Sequence, residues 1–167
     1  MGTVVLNKVP KFEFFGGYEN VFEILNNAIP IEDYITKHLC PTDDENIDHE
    51  KDRLFFMRKN GMKIDAMREL ISNWVDEGKI TAPEFSYLMA SFMYSASYVS
   101  NTSGVFKGFH RGWGGRNGTA QYRICSDIIL KPPILHNNDK DNISMREDAG
   151  SLVCKLTEVL GETPDLS

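Results

Sequence analysis

One loop concentrates the side chains able to grip an anion. From residue 100 to 116 the chain reads Ser-Asn-Thr-Ser-Gly-Val-Phe-Lys-Gly-Phe-His-Arg-Gly-Trp-Gly-Gly-Arg. Phosphate groups are bound by Arg, Lys, Ser, Thr, Asn and close backbone N–H groups, all of which this segment supplies. Arg and Asn forks suit base edges, and aromatic faces suit unstacked bases. Glycines let the backbone approach a ligand. These residue types fit a nucleic-acid contact loop. They fit equally well a surface loop whose aromatics tuck back onto the core.

Other chemistries fail when their spacing is tested. Gly112-Trp113-Gly114 is followed by Asn117 where a dinucleotide fingerprint needs its third glycine, and no strand precedes it. Phe15-Gly16-Gly17 follows an apolar run and precedes a helix, which suits an ordinary turn better than a cofactor turn. His38, His49, His110 and His136 share no metal-ligand spacing, and no Gly-x-Ser-x-Gly elbow offers a nucleophile. Asp43-Asp44 falls in the segment Pro41–Asn46, which reads as a solvated acidic loop. Glu147-Asp148 has two readings: carboxylates at a strand end lining the crevice of an open α/β sheet, or acids at a helix N-terminus.

Charge supports the loop. The 167 residues carry a net −6, which argues against a simple nucleic-acid-coating protein. Yet Phe85–Ser126 holds no Asp or Glu and four cations, Lys107, Arg111, Arg116 and Arg123. That window is +4 and the remainder −10, which suits one anion-binding surface on an acidic chain and equally a solvated loop that lacks acids by chance. The composition, 41% hydrophobic and 25% charged, is that of a globular domain. Cys40, Cys125 and Cys154 are too scattered for a zinc site or disulfide framework, which predicts free thiols in a reducing compartment. The start has no signal-peptide pattern, and the longest apolar stretch, Tyr87–Val99, is short of a membrane span. The expectation is a cytoplasmic protein with no membrane partner.

The elements around the loop are mostly helical. Val21, Phe22, Ile24, Leu25 and Ala28 have near-helical spacing and stop at Pro30. A helix is predicted from about Asn60 to Glu77, with Ile64, Met67, Leu70, Ile71, Trp74 and Val75 on one face and Gly78 as its C-terminal cap. A second begins at Thr81 with Pro83 in the first turn and Glu84 completing a capping box. It runs to Val99, apolar on most sides and small on the rest, so it is expected to be central and closely packed. Residues 3–6 read as a short strand or a frayed helix start. Ile143–Arg146 reads as a short strand leading into a helix near Asp148. Gly161–Ser167 has no capping or packing logic and reads as cut.

In combination, three blocks resemble the site-specific adenine-N6 DNA methyltransferases of bacterial restriction–modification systems. The first is Ile35–Pro41 leading into Arg53–Phe56 and Asn60–Arg68; the second is Tyr87–Ser91 followed by Val99–Phe106; the third is Glu147-Asp148-Ala149. They span roughly residues 30–153. The resemblance implies a Rossmann-like α/β enzyme that uses S-adenosylmethionine, flips an adenine out of double-stranded DNA and methylates its N6. It implies that Asn101, Lys107, His110, Arg111 and Arg116 contact DNA, and that Glu147 or Asp148 edges the cofactor's adenine pocket.

Two family motifs are missing. The only Pro-Pro, Pro132-Pro133, lies between Lys131 and Ile134, so there is no Asp-Pro-Pro-Tyr. That motif would be expected to begin about where the sequence stops, at Ser167. Phe15-Gly16-Gly17 lies too close to His38–Pro41 to be the family's cofactor turn. The expected fold class is therefore mostly α with short β elements, the middle, DNA-facing part of the larger enzyme. Residues 1–30 are expected to be a cofactor-domain remnant or linker, 31–140 the helical DNA-recognition segment, and 141–167 a truncated return to the α/β core. Such a chain would be inactive alone, either a fragment or one half that a complementing methyltransferase part completes. The alternative is a non-catalytic DNA-binding or interaction module.

Overall fold

A computed structural model describes residues 2–4, 8–103, 108–135, 143–145, 148, 150 and 151. The chain divides into two compact units, residues 8–134 and residues 1–7 with 135–167.

The larger unit is helical. It holds a 3-10 turn at Glu13–Phe15 and five helices: α1 Tyr18–Asn26, α2 Tyr34–Leu39, α3 Arg58–Asp76, α4 Ala82–Val99 and α5 Gln121–Ile124. The unit begins at Lys8, and Phe12, Val21, Phe22 and Leu25 are buried in its core. Phe12 packs on Tyr87 of α4, and its N–H donates to Glu84 Oε1 at 2.6 Å. Those two holds keep Phe12 at φ +50°, a conformation few non-glycine residues adopt.

Helix α3 follows its apolar stripe: Ile64, Met67, Ile71 and Trp74 are buried. Val75 is 45% exposed and lines an open hollow with Ile71 and with Phe85 and Phe92 of α4. Gly78, at φ +67°, ends the helix in the left-handed conformation that a C-terminal glycine permits. The capping box at Thr81 and Glu84 is formed in both directions.

Helix α4 is less enclosed than its sequence suggests. Tyr87, Leu88, Ser91, Phe92, Ser95 and Val99 face inward, whereas Phe85, Met93, Tyr94 and Tyr98 are exposed. The small residues mark the crowded side. Ser91 and Ser95 donate to the carbonyls of Lys131 (2.7 Å) and Ile129 (3.0 Å), and Tyr87 Oη donates to Pro133 O at 3.4 Å. From the other side, Asn60 Oδ1 accepts the Ile128 N–H at 3.0 Å, and its Nδ2 donates to Ser126 O at 2.8 Å. Asn26 likewise pairs with both backbone groups of Leu130. Residues 126–133 thus form an extended strap whose backbone is satisfied by side chains of three helices, as buried polar groups require.

Helices α2 and α3 touch at Gly61, where an added Cβ would lie 2.2 Å from Cys40 Sγ. Asp65 of α3 accepts N–H bonds from Asp33, Ile35 and Thr36 and the Thr36 hydroxyl, capping α2 from a neighbouring helix.

In the smaller unit, β1 (Gly2–Val4) pairs antiparallel with β2 (Ile143–Met145), Thr3 opposite Ser144. Residues 150 and 151 are helical, and Asp148 Oδ1 accepts the Ser151 N–H at 3.1 Å. Among the described residues, no helix is long and apolar enough to cross a membrane.

Candidate nucleic-acid interface

The loop begins where α4 ends, and its first task is to satisfy that helix end. Arg123 reaches back from α5 and donates to the carbonyls of Tyr98, Ser100 (2.8 Å) and Thr102 (3.0 Å). A cation at a helix C-terminus also complements the helix dipole. Arg123 is therefore anchored, although its charge stays at the edge of the loop.

Asn101 organises the turn that follows. It is fully buried. Its Nδ2 donates to Leu54 O (2.9 Å), His110 O (3.2 Å) and Gly112 O (3.1 Å), and its Oδ1 accepts the Gly114 N–H at 3.1 Å. Its backbone N–H and C=O bond to Phe55 and His110. A side chain so enclosed presents nothing to a ligand. The structure gives Asn101 the work of holding the loop, in place of the direct contact expected of it.

Three further features fix the path. Gly114 has φ +83°, and a Cβ there would sit 2.6 Å from the Gln121 nitrogen. Gly115 has φ +76° and lies against the His110 ring. Trp113 Nε1 donates to Asp44 O at 3.3 Å. Asp44 is not the freely solvated acid its surroundings suggest, for both its carboxylate oxygens accept the Arg58 N–H that opens α3. Asp43 is exposed, and its carboxyl is held below the usual range by hydrogen bonds from Asn46 and Glu45.

His110 and Arg116 line one open groove of about 570 Å³. Thr102, Ser103, Asn117 and Arg123 border it, and no carboxylate among the described residues does. Arg111 points elsewhere, to a hollow shared with His49 and Glu50. Arg111 and Arg116 are exposed and make no ion pair among the described residues. Lys107 and Glu147 lie outside the described residues. Asp148 is exposed and belongs to the smaller unit.

The groove therefore gathers two expected residues, His110 and Arg116, with Thr102, Ser103, Asn117 and Arg123 among the polar residues beside them. Asn117 and Arg123 lie beyond the end of the segment that the residue types single out. The absence of acids up to Ser126 was the signal that reached them.

Two buried ionisable groups lie at the contact of α2 and α3, Cys40 and Asp65. Burial pushes the Cys40 thiol up to about 12, with the Asp44 and Asp65 charges adding to it, so it is an inert thiol. Burial alone would raise Asp65, but the N–H groups of Thr36 and Ile35 outweigh it and hold the carboxyl below its usual range.

Comparison with known proteins agrees with this picture of a part. The chain is 39% identical over 97 residues to modification methylase LlaI of Lactococcus lactis subsp. lactis, covering 58% of this chain and 14% of that protein. It is 31% identical over 133 residues to Type II methyltransferase M.NlaIII of Neisseria lactamica, covering 80% and 36%. It is 26% identical over 153 residues to Type II methyltransferase M.FokI of Planomicrobium okeanokoites, covering 80% and 23%. The chain is thus similar to Type II methyltransferases and spans between about one seventh and about one third of their lengths. No protein-family model and no solved structure matches it.

Proposed function

We propose that this chain is the DNA-facing helical part of a site-specific adenine-N6 DNA methyltransferase that uses S-adenosylmethionine. In this reading it is the middle of a Rossmann-like α/β enzyme whose catalytic Asp-Pro-Pro-Tyr and main cofactor turn belong to a complementing part. The observation that carries the reading is the groove at His110 and Arg116, bordered by donors and, among the described residues, free of carboxylates. Arg116, His110 and the hydroxyl of Ser103 would meet phosphate oxygens. Arg111 and Lys107 would extend the positive surface. Asn101 would act by holding the loop in place.

Glu147 and Asp148 would edge the adenine pocket of the cofactor, whose contribution when bound is the transferable methyl group. Asp148 is exposed, with one carboxylate oxygen bonded to Ser151. Calorimetric titration of the chain with S-adenosylmethionine tests that assignment. Heat that disappears in Asp148→Ala supports it, and its absence assigns the pocket to other residues.

Fluorescence anisotropy with a duplex oligonucleotide tests the main reading. Binding should weaken by at least about tenfold between 50 and 200 mM salt, because counterions are released from each contacted phosphate. No binding, or binding indifferent to salt, contradicts it. A second reading, a non-catalytic DNA-binding module, draws support from the separateness of residues 8–134 as a compact unit. Methyl transfer on addition of a part carrying Asp-Pro-Pro-Tyr would favour the enzyme over the module.

A further inference from the structure

The exposed side of α4 carries aromatics where a solvated helix usually carries charge. Tyr94 is 74% exposed and Tyr98 45%, and their spacing of four residues puts both on one helix face. Opposite them runs the strap, with Ile129 56% exposed. Between helix and strap lies a cleft of about 360 Å³, walled by Tyr94, Tyr98, Ile129, Asp127 and Lys131. Its size is at the lower end of small-ligand sites, roughly 300–1,000 Å³.

This cleft connects to the basic groove. A hollow lined by Tyr94, Ser97, Tyr98, Thr102 and Arg123 shares both tyrosines with the cleft and shares Thr102 and Arg123 with the groove. Among the described residues, no carboxylate lines the hollow or the groove. Asp127, an acid of the cleft, is paired with Lys59 Nζ at 2.6 Å. Lys131 makes no ion pair among the described residues.

We infer that the Tyr94–Tyr98 cleft receives an unpaired DNA base, stacked on the tyrosines, while the phosphates beside it lie in the groove at Arg116 and Ser103. The inference rests on the DNA reading above and deepens it. Aromatic faces beside a cationic path are the usual platform for an unstacked base, whatever its sequence. Asp127 and Lys131 offer an acceptor and a donor to the base edge. An apolar protein partner would leave the adjoining Arg123 and Lys131 charges facing it uncompensated, whereas a nucleotide neutralises them.

The test compares a continuous duplex with the same duplex carrying one bulged 2-aminopurine. The full chain should bind the bulged duplex about tenfold more tightly, with quenching of the 2-aminopurine fluorescence as it stacks. Tyr94→Leu with Tyr98→Leu should abolish both the preference and the quenching and leave continuous-duplex affinity unchanged within about twofold. Both side chains are exposed, so a matching thermal melt verifies that the variant is folded. Equal affinity for the two duplexes, or a preference that survives the double substitution, overturns the inference while leaving the DNA reading intact. Failure to bind either duplex overturns both.

Discussion

Asn101 Oδ1 accepts the N–H of Gly114, thirteen residues further along the chain, at 3.1 Å. The Nδ2 of the same carboxamide donates to Leu54, forty-seven residues earlier, at 2.9 Å. One buried side chain therefore joins the segment before α3 to the tip of the glycine-rich loop. Replacing it by Ala leaves an N–H and three carbonyl partners without their bonds. Asn101→Ala should destabilise the chain by about 2–4 kcal/mol, read as a lower denaturation midpoint. A residue that only contacted DNA would lower affinity and leave the midpoint unchanged.

Gly61 and Cys40 should be energetically coupled. Gly61→Ala forces a methyl group to within 2.2 Å of Cys40 Sγ. Overpacking of this kind costs about 1–3 kcal/mol. Cys40→Ala removes the obstructing sulfur, so the double variant should be more stable than Gly61→Ala alone. Equal stability of the two would show that α2 shifts freely, contrary to the packing described. A double-mutant cycle measures the difference.

Cys40 and Cys125 should differ in reactivity. The Cys40 thiol is buried and pushed up to about 12, whereas Cys125 is only half-buried. Alkylation near pH 8 followed by peptide mapping should label Cys125 first, with Cys40 labelled only on unfolding. Rapid labelling of Cys40 in the folded chain would contradict its burial.

Asp65 contributes stability that depends on pH. Its carboxyl is held below the ordinary value by the N–H groups it caps, despite burial. A depressed carboxylate stabilises the fold fully above its unfolded value, and that contribution is lost as pH falls through the folded value. Asp65→Asn should therefore cost about 1–3 kcal/mol at neutral pH, and the gap from wild type should close in acid. A gap of constant size across the titration would contradict this.

Local signals were readable in the sequence. The Thr81–Glu84 capping box, the Gly78 cap and the buried stripe of α3 each depend on neighbours within a turn or two, so residue spacing encodes them. Long-range partners are not encoded that way. Asn101 resembles a ligand-binding amide because nothing near it reveals the Leu54 carbonyl. Ser91 and Ser95 look like spacers on α4, yet they anchor a strap that lies more than thirty residues away. Asp44 belongs to an acidic run and only the fold places it at the start of α3. The basic groove falls within the window without acids, while the split between Arg116 in the groove and Arg111 outside it required three dimensions.

In the proposed function the groove binds DNA phosphate through Arg116 and its neighbours. The most direct measurement is the slope of log binding constant against log salt concentration, for the chain and for Arg116→Ala, on one duplex. Each lost phosphate contact should reduce the slope by about 0.9. A shallower slope with weaker affinity and an unchanged melting temperature is the predicted result. An unchanged slope and affinity in Arg116→Ala would contradict the account.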